Sequence, residues 1–442
     1  MRMRVLASLF FVGLLSVTTA QAGNWPGWRG QAAQGRTDEK SLPVTWSTGE
    51  GIRWKAAIPG VGHASPIVWG NRVFVTTAVS ADESTETFKP GLYFGGNQFK
   101  PDAAEYTYLV MCLDADSGKV HWSKPAVKKN PSIPRHIKNS YASETPVTDG
   151  KLVFASFGAE GLYCFDVNGK LKWNRSLGDF KLRYGWGTAI SPVLYENLVI
   201  QVCDRENGSV VLAFDKQTGT RVWETPRDEK SSWSTPLLFD AGDHTELITN
   251  ASGRMRAYNP ADGNLLWECA GASSIVSPTP VSTDGLVIVS SGYVGDKNRP
   301  IYAFRPGATG DISLPEGKHH SDTVAWHLNV GGPYIPSPVI VGPNLYVLLD
   351  RGFLTCFNAA TGESVYGKNR LGRRSQFTAS PVAGDGKIYC LSEDGTCYVV
   401  QAGSAFKLIA ANELDEICMA SPAVADGRLF IRARKNLYCI GP

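Results

Sequence analysis

The chain has 442 residues, and its 44 lysines and arginines nearly balance 41 aspartates and glutamates, which gives a formal net charge of +3. A charge this close to neutral argues against nucleic acid or an anionic membrane as the general partner. The nine cysteines form no Cys-x-x-Cys or Cys-x-x-Cys-His motif, so nothing supports a zinc ribbon or a covalently attached haem.

Residues 1–22 are predicted to be a secretory signal peptide. They begin with Met-Arg-Met-Arg, continue with an apolar run over residues 5–17 and end with Ala20-Gln21-Ala22, which is the pattern of a cleaved signal. The run is too short to span a bilayer, and no later segment is long and apolar enough to do so. No cysteine near the junction could carry a lipid anchor. We expect cleavage after Ala22, a periplasmic or secreted protein, and a monomer.

The rest of the chain repeats one pattern eight times. Each copy begins with Ser-Pro or Thr-Pro, followed by a turn, two apolar strands, a Gly turn and usually a Trp. The Ser or Thr residues lie at positions 65, 145, 191, 235, 279, 337, 380 and 421. Their spacing clusters near 44 residues, a period typical of propellers, in which each repeat forms one blade. The sequence therefore predicts an all-β, eight-bladed β-propeller of four-stranded antiparallel blades.

The start of the mature chain is predicted to complete the last blade. The eighth repeat stops at Cys439 without a Trp-containing strand, whereas residues 51–58 form such a strand around Trp54 without a repeat of their own. Pairing the two closes the ring and removes the edges that an unfinished ring would expose. We therefore assign residues 23–50 to an N-terminal extension and residues 51–442 to one propeller domain.

Two recurring residue types indicate how the blades pack. A tryptophan recurs in five repeats, and we interpret it as a large filler between neighbouring blades rather than a cofactor stack. Another position accepts cysteine or alanine, which predicts a small buried slot where a free cysteine packs as a small hydrophobe. We also consider a pair formed by Cys390 and Cys397 across a hairpin. The tryptophans are Trp122, Trp173, Trp223, Trp267 and Trp326, and the cysteines of the slot are Cys112, Cys164, Cys356 and Cys439.

Two of the steps between repeats are long because they contain insertions. One includes the loop at 80–106 and the segment at 128–139, and the other covers residues 307–323. Long loops on a rigid scaffold are where binding usually occurs. The second insertion contains adjacent histidines at 319 and 320, but no third ligand is spaced to join them, so we predict no metal site.

The repeats resemble those of a known family. The segments SPVLYENLVIQV and VLAFDKQTGTRVW, within residues 191–223, are similar to the pyrroloquinoline-quinone-type (PQQ-like) propeller repeat, and the resemblance covers nearly all of the mature chain. The sequences WPGWRG at 25–30 and NSYASETPVTDG at 139–150 resemble a branch of secreted bacterial proteins. The family includes the quinoprotein alcohol dehydrogenases and the outer-membrane assembly lipoprotein, a non-enzymatic scaffold, and both are eight-bladed.

The sequence departs from both of these relatives. Quinoprotein dehydrogenases typically carry an adjacent Cys-Cys pair against the cofactor and are considerably longer, and this chain has no such pair. The assembly lipoprotein carries a lipobox cysteine, which is also missing from the sequence. The repeat therefore identifies the fold, and a fold alone does not transfer a function.

The residues that enter the innermost strand of each blade should lie at one mouth of the central channel. An aromatic ring with a few polar groups suits a flat ligand or a peptide. The same aromatics could instead close a narrow channel by packing on one another. In chain order these residues are His63, Tyr141, Trp186, Trp233, Tyr334, Phe377 and Met419.

Glu144 differs from its equivalents in other repeats, three of which have alanine directly before the Ser or Thr. A carboxylate that faces the channel needs a partner, or its pKa rises, and Arg135 lies just upstream. Glu144 could hold a cation or orient a ligand, or it could be one half of a buried ion pair. We hypothesise one pocket lined by four residues, Tyr141, Glu144, Trp186 and Trp233.

These observations leave two functions. The first is a non-catalytic binding or scaffold propeller that offers its mouth and long loops to a protein, a peptide or a small ligand. The second is a quinoprotein-type oxidoreductase that uses PQQ and calcium to oxidise an alcohol or a sugar, with Glu144 among the ligands and Trp186 or Trp233 stacked on the quinone. The missing Cys-Cys pair and the short length favour the first function. The candidate ligand contacts are His63, Arg135, Tyr141, Glu144, Trp186, Trp233, Tyr334 and Phe377.

Overall fold

The computed structural model describes residues 23–82, 90–91, 99–283 and 285–442. These residues form eight sheets, each with four antiparallel strands, and one sheet has a short fifth strand. The predicted all-β, eight-bladed propeller is therefore confirmed. The predicted signal peptide lies outside the described residues, as does much of the loop of the first insertion. No helix in the described part of the chain has the length and apolar character needed to cross a membrane.

In the first seven blades the chain runs outward from the channel, one strand after another, and the last blade takes its outer strand from the N-terminal side. The innermost strands are short and contact their equivalents in neighbouring blades. They are β2 (Ile67–Trp69), β6 (Val147–Thr148), β10 (Val193–Tyr195), β14 (Leu237–Asp240), β18 (Val281–Thr283), β23 (Val339–Val341), β27 (Val382–Gly384) and β31 (Ala423–Ala425). The second strands are β3 (Arg72–Ser80), β7 (Leu152–Ser156), β11 (Leu198–Cys203), β15 (Thr245–Asn250), β19 (Leu286–Ser290), β24 (Asn344–Leu349), β28 (Lys387–Leu391) and β32 (Arg428–Arg432).

The two remaining strands of each blade lie further from the channel. The third strands are β4 (Tyr106–Asp114), β8 (Leu162–Asp166), β12 (Ser209–Asp215), β16 (Arg254–Tyr258), β20 (Ile301–Phe304), β25 (Phe353–Asn358), β29 (Thr396–Gln401) and β33 (Asn436–Ile440). The outer strands are β5 (Val120–Lys129), β9 (Leu171–Arg175), β13 (Arg221–Arg227), β17 (Leu265–Ala270), β22 (Val324–Leu328), β26 (Ser364–Arg370), β30 (Leu408–Glu413) and β1 (Ile52–Ala57). The extra strand is β21 (Gly310–Asp311).

Burial follows the position of a strand in its blade. In the third blade, β11 is buried at every residue, whereas β13 is largely exposed. Strands that are covered on both faces are continuous apolar runs, and outer strands carry polar residues because one face meets solvent. Two Asp-Gly turns, at 385–386 and 426–427, have positive φ at both residues, as tight hairpins of this type require.

The N-terminal strand β1 closes the ring, as predicted. It pairs antiparallel with β33, and Trp54 lies opposite Cys439. The last blade is thus built from both ends of the propeller domain. The pairing covers the edge of β33 and gives the last blade the same four strands as the others.

The recurring tryptophans lie between blades, as predicted. In five blades the indole N–H donates to a carbonyl in the turn between the third and outer strands of the next blade, at 2.9–3.2 Å. The glycine of that turn lies against the ring. A Cβ on Gly118, for example, would lie 2.6 Å from the Trp54 ring, and its φ is +69°. The five donors are Trp54, Trp122, Trp173, Trp223 and Trp326.

Trp267 is the exception because the next blade replaces this turn with the second insertion. Its indole N–H donates to Glu246 in the same blade at 2.9 Å. The insertion contributes β21, which pairs in parallel with β17 and so extends the neighbouring sheet. His319 in the insertion stacks on His327 with ring centroids 5.4 Å apart.

The cysteines are free and buried. Those of the predicted slot lie opposite the interblade aromatic residue, as in the pair of Cys112 with Trp122, and the alanines of other blades occupy the same register. The suggested pair of Cys390 and Cys397 is wrong. Cys397 lies opposite Leu391, so the two cysteines point to opposite faces of the sheet.

Candidate functional site

The Ser or Thr that begins each repeat belongs to a hydrogen-bonded ring around the channel. In six blade-to-blade steps, the backbone N–H of one such residue donates to the side-chain oxygen of its equivalent in the next blade, at 2.8–3.0 Å. The residue type that marks the repeat in the sequence therefore also links the blades. We call this set the hydroxyl ring, and its members are Ser65, Thr145, Ser191, Thr235, Thr279, Ser337, Ser380 and Ser421.

The N-terminal extension crosses the channel below this ring. Residues 24–37 exchange hydrogen bonds with innermost strands of four blades, through Val68, Thr148, Ser282 and Ala383. The indole N–H of Trp28 donates to the Thr279 hydroxyl at 2.8 Å. The extension therefore closes one end of the channel.

Arg29 anchors the extension without forming an ion pair to any described carboxylate. Its guanidinium is buried and donates to five backbone carbonyls, three of which belong to Ser337, Pro338 and Pro381 of the sixth and seventh blades. Burial lowers the pKa of Arg29 to about 9, so the side chain remains charged at neutral pH. The carbonyl groups take the place of a counterion.

The other end of the channel opens into a cavity of about 430 Å³, a volume within the range of ligand sites. Trp186 packs against Trp233, and Tyr293 packs against Tyr334, each pair with ring centroids 5.5 Å apart. Trp28 and Tyr184 add two further aromatic groups to the lining. Hydroxyl-ring residues form the floor, and those that line the cavity are Ser191, Thr235, Thr279, Ser380 and Ser421.

One repeat position contributes to the cavity wall from every blade. It lies two residues before the hydroxyl-ring residue, and neighbouring side chains of an extended segment point to opposite sides. The prediction from aromatic residues included this position in three blades, at His63, Trp233 and Met419, whereas counting back two residues from the Ser-Pro or Thr-Pro pair identifies it in all eight. Its eight occupants all line the cavity: His63, Ser143, Ala189, Trp233, Ser277, Ile335, Thr378 and Met419.

The cavity brings together four of the eight predicted ligand contacts, namely His63, Trp186, Trp233 and Tyr334. The indole N–H of Trp233 donates to the carbonyl of Gly187 at 2.7 Å. This bond connects the loops of the third and fourth blades that carry the two tryptophans. The binding role of these four residues stays a prediction.

Arg135, Tyr141 and Phe377 lie outside the cavity lining. Arg135 forms an ion pair with Asp102 at 3.2 Å and lies over the Tyr141 ring, 5.2 Å from its centroid. Phe377 is 1% exposed and packs against Tyr398 in the core. The loops that lead into the innermost strands differ in length, so an aromatic residue in such a loop does not have to face the channel.

Glu144 does not face the channel either, and the pocket it was predicted to share with Trp186 and Trp233 is wrong. It lies directly before the hydroxyl ring, one residue after the position that lines the cavity, and it points into a small separate pocket that also contains Asp204. Among the described residues no cation forms an ion pair with it. Burial raises the pKa of Glu144 to about 7, although a hydrogen bond from Thr188 opposes the shift.

The cavity wall carries little charge. Among the described lining residues, Lys138 has the one permanent charge, and its ammonium pairs with buried Glu393 at 2.5 Å. Burial and nearby cations lower the pKa of His63 to about 3, so this imidazole is neutral at physiological pH. No described carboxylate or cysteine lines the cavity.

This lining does not fit PQQ with calcium. Calcium binds carboxylate and carbonyl oxygens, and the described cavity wall supplies no carboxylate. No group of three His, Cys, Asp or Glu residues in the described ranges is arranged to hold a metal. The wall therefore offers aromatic surfaces and hydroxyl groups rather than a metal site.

Comparisons with known sequences connect the chain to an outer-membrane assembly factor. A family model described as outer membrane protein assembly factor BamB matches residues 107–313. The BamB of Shewanella oneidensis is 23% identical over 303 residues, which cover 58% of this chain and 74% of that protein. The BamB of Salmonella typhimurium is 22% identical over 312 residues, or 59% of this chain and 74% of that protein.

Solved structures share the fold at low sequence identity. The quinohemoprotein alcohol dehydrogenase of Comamonas testosteroni has a TM-score of 0.61 at 12% identity and covers 96% of this chain and 82% of its own. A europium-containing methanol dehydrogenase gives 0.59 at 12% identity, with 95% and 98% covered. BamB from Moraxella catarrhalis gives 0.52 at 14% identity, with 80% and 98% covered. At these identities the likeness concerns the fold alone.

Proposed function

Since the chain is a PQQ-like β-propeller, we propose that it is a non-catalytic binding module whose cavity takes up part of a protein, a peptide or a small ligand. The observation that carries this proposal is the cavity itself. It combines four packed aromatic rings, Trp186, Trp233, Tyr293 and Tyr334, with a floor of hydroxyl groups. Large aromatic surfaces and a few placed polar groups are the usual composition of a binding site.

Three of the ionisable groups in or beside the wall, His63, Lys138 and Glu144, are unsuited to general acid–base catalysis, which favours binding. A second histidine of the wall, His136, packs against Trp186. A general acid or base must lie within reach of the reacting group and have a pKa near the working pH. His63 is neutral over the physiological range because its pKa lies near 3. Lys138 is held by Glu393, and Glu144, whose pKa does lie near 7, points into a different pocket.

The relatives support a protein as the partner. Their printed name assigns them to the assembly of outer membrane proteins, which is work done with other proteins. We extend this to a protein or peptide partner for the present chain, in the periplasm or outside the cell. The quinoprotein dehydrogenases share their fold with this chain. The cavity lining does not fit PQQ with calcium, however, so we do not adopt the dehydrogenase function.

The proposal is tested by selecting peptides against the purified protein. Phage that display random peptides closed by a disulfide are panned on the protein, and the bound peptides are remade and measured by calorimetry. We expect binders whose affinity falls at least about tenfold in Trp233→Ala, because an aromatic contact of this size is a typical hot spot. The matched control is Leu265→Ala, an apolar residue that is 49% exposed on outer strand β17.

Two outcomes would contradict the proposal. One is a set of binders that are weakened equally by the Trp233 and Leu265 substitutions, because such peptides do not use the cavity. The other is saturable binding of PQQ that requires calcium, accompanied by reduction of a dye when an alcohol or a sugar is added. That result would establish the quinoprotein function in place of the binding module.

A further inference from the structure

The cavity is a dead end, and this restricts what part of a chain it can receive. The N-terminal extension crosses the channel between the innermost strands of four blades. Trp28 lines the cavity at this level and is fixed by its hydrogen bond to Thr279. A chain can therefore enter from the open mouth but cannot pass through the channel. A chain end, rather than an internal loop, fills such a site to its floor.

The floor is lined by hydrogen-bond donors. Each hydroxyl-ring oxygen that faces the cavity already accepts an N–H, from a ring backbone for four of them and from Trp28 for Thr279. A hydroxyl also has one proton to donate, and no acceptor for these protons occurs among the described residues. A hydroxyl that accepts one bond donates the next more strongly. The four hydroxyls that accept a backbone N–H are those of Ser191, Thr235, Ser380 and Ser421.

The charge distribution selects between the two ends of a peptide. The described cavity wall contains no carboxylate, so an N-terminal ammonium would find no counterion there. A C-terminal carboxylate has only acceptor oxygens and matches a floor of donors. The hydrogen bonds that it would receive are charge-assisted and hence stronger than neutral ones.

We infer that the cavity captures the free C-terminal end of a protein chain, with the terminal carboxylate on those hydroxyl-ring residues that line the cavity and an apolar or aromatic last residue against Trp186 and Trp233. This inference rests on the proposed function and adds the chemistry of the partner. Recognition of a chain terminus is an established mode of peptide binding. Here the closed end of the channel supplies the selectivity for a terminus, and the ring hydroxyls supply the selectivity for a carboxylate.

The experiment compares two random octapeptide libraries that differ at one group. One library has free C-terminal carboxylates, and the other is amidated at the same position. Both are screened against the purified protein, and each hit is then measured by calorimetry as the acid and as the amide. We expect hits in the free-acid library that lose at least about tenfold in affinity on amidation, since the amide replaces a charge-assisted acceptor by a neutral group.

A matched pair of substitutions tests the ring itself. Thr235→Val and Thr145→Val both remove one ring hydroxyl that accepts a backbone N–H, at 3.0 Å in each case. Thr235 lines the cavity and Thr145 does not. We expect Thr235→Val to lower the affinity for the free-acid peptides several-fold, which corresponds to the loss of about one hydrogen bond to a charged group. Thr145→Val should leave this affinity unchanged. The native fold of each variant is checked by near-ultraviolet circular dichroism.

The inference is wrong if hits bind equally as acid and amide, or if the free-acid library yields no hits. It is also wrong if both threonine substitutions weaken binding to the same extent, because the ring would then act through the fold rather than by contact. The disulfide-closed peptides selected above have no free end in the loop that binds. If these peptides bind in a manner that depends on Trp233, the proposed function is still supported even if capture of a C-terminus fails.

Discussion

Two buried ionisable side chains, Arg29 at the closed end of the channel and Glu144 beside the mouth, are satisfied in different ways. At the closed end, Arg29 donates to five backbone carbonyls. Glu144 points away from the channel into its own small pocket, where one carboxylate oxygen has no hydrogen-bond partner among the described residues, and its pKa rises to about 7. Carbonyl groups of the sixth and seventh blades reach Arg29, whereas no described cation pairs with Glu144, and burial outweighs the hydrogen bonds that this group receives. Arg29 therefore keeps its charge on backbone carbonyls alone, whereas Glu144 takes up a proton more readily than an ordinary glutamate.

The largest expected effect is the loss of the cation at the closed end. Arg29→Met should lower the free energy of unfolding by about 3–5 kcal/mol, because several buried carbonyl groups lose their donor. Urea denaturation followed by tryptophan fluorescence measures the change. Arg36→Met, at an exposed residue of the same segment, should stay within about 0.5 kcal/mol of the parent. Equal effects of the two substitutions would show that the carbonyl contacts of Arg29 are unimportant.

A smaller effect is expected from Glu144 in its separate pocket, and it depends on pH. The pKa of Glu144 is about 7 in the folded chain and 4.5 for an ordinary glutamate. Between these values the folded chain keeps a proton that the unfolded chain releases, so stability falls as the pH rises through this window. The loss amounts to at most about 3 kcal/mol. It is fully present at pH 8 and absent below pH 4.5.

Glu144→Gln isolates this contribution because glutamine stays neutral. We expect the variant to lose less stability than the parent between pH 5 and pH 8, measured by urea denaturation at both values. The neighbouring Asp204 is held by Arg227 at 3.0 Å and is unchanged in both proteins. Glu316→Gln, at an exposed position, serves as the control. A parent and a Glu144→Gln protein with the same pH dependence would contradict the assignment.

The smallest expected effect concerns the contact between the N-terminal extension and the hydroxyl ring. Trp28→Phe keeps an aromatic ring but removes the indole N–H that bonds Thr279, so it should cost about 1 kcal/mol. Thr279→Val removes the other partner. In a double-mutant cycle the two changes should be non-additive by about 0.5–1.5 kcal/mol. Additive effects would mean that the bond contributes nothing to closing the channel.

The architecture could be predicted because its determinants are local and repeat. Eight Ser-Pro or Thr-Pro pairs marked eight blades, and the strand around Trp54 had no repeat of its own, which indicated its pairing with the last blade. The interblade tryptophans and the small slot that holds Cys112 were also readable from recurrence. The exceptions occur where an insertion replaces a turn, as beside Trp267, because the contact then depends on residues outside the repeat.

The candidate site was readable only in part. His63 and Trp233 lie two residues before a hydroxyl-ring residue, and this fixed position in the repeat directs their side chains into the cavity. Glu144 lies one residue later in the repeat, and alternation of side chains along an extended segment turns it away from the channel. Trp186 and Tyr334 reach the cavity from loops of unequal length, so no count along the sequence could place them or exclude Phe377.

The sequence by itself determined the number of blades, the strand that closes the ring and the residues that separate the blades, because each follows from a pattern that neighbouring residues enforce. Only the tertiary structure decided that the extension crosses the channel and that Arg29 is held by carbonyl groups of distant blades. It also decided which aromatic residues meet at the mouth. These features join residues hundreds of positions apart, and their geometry depends on how the whole ring closes rather than on any local preference of the chain.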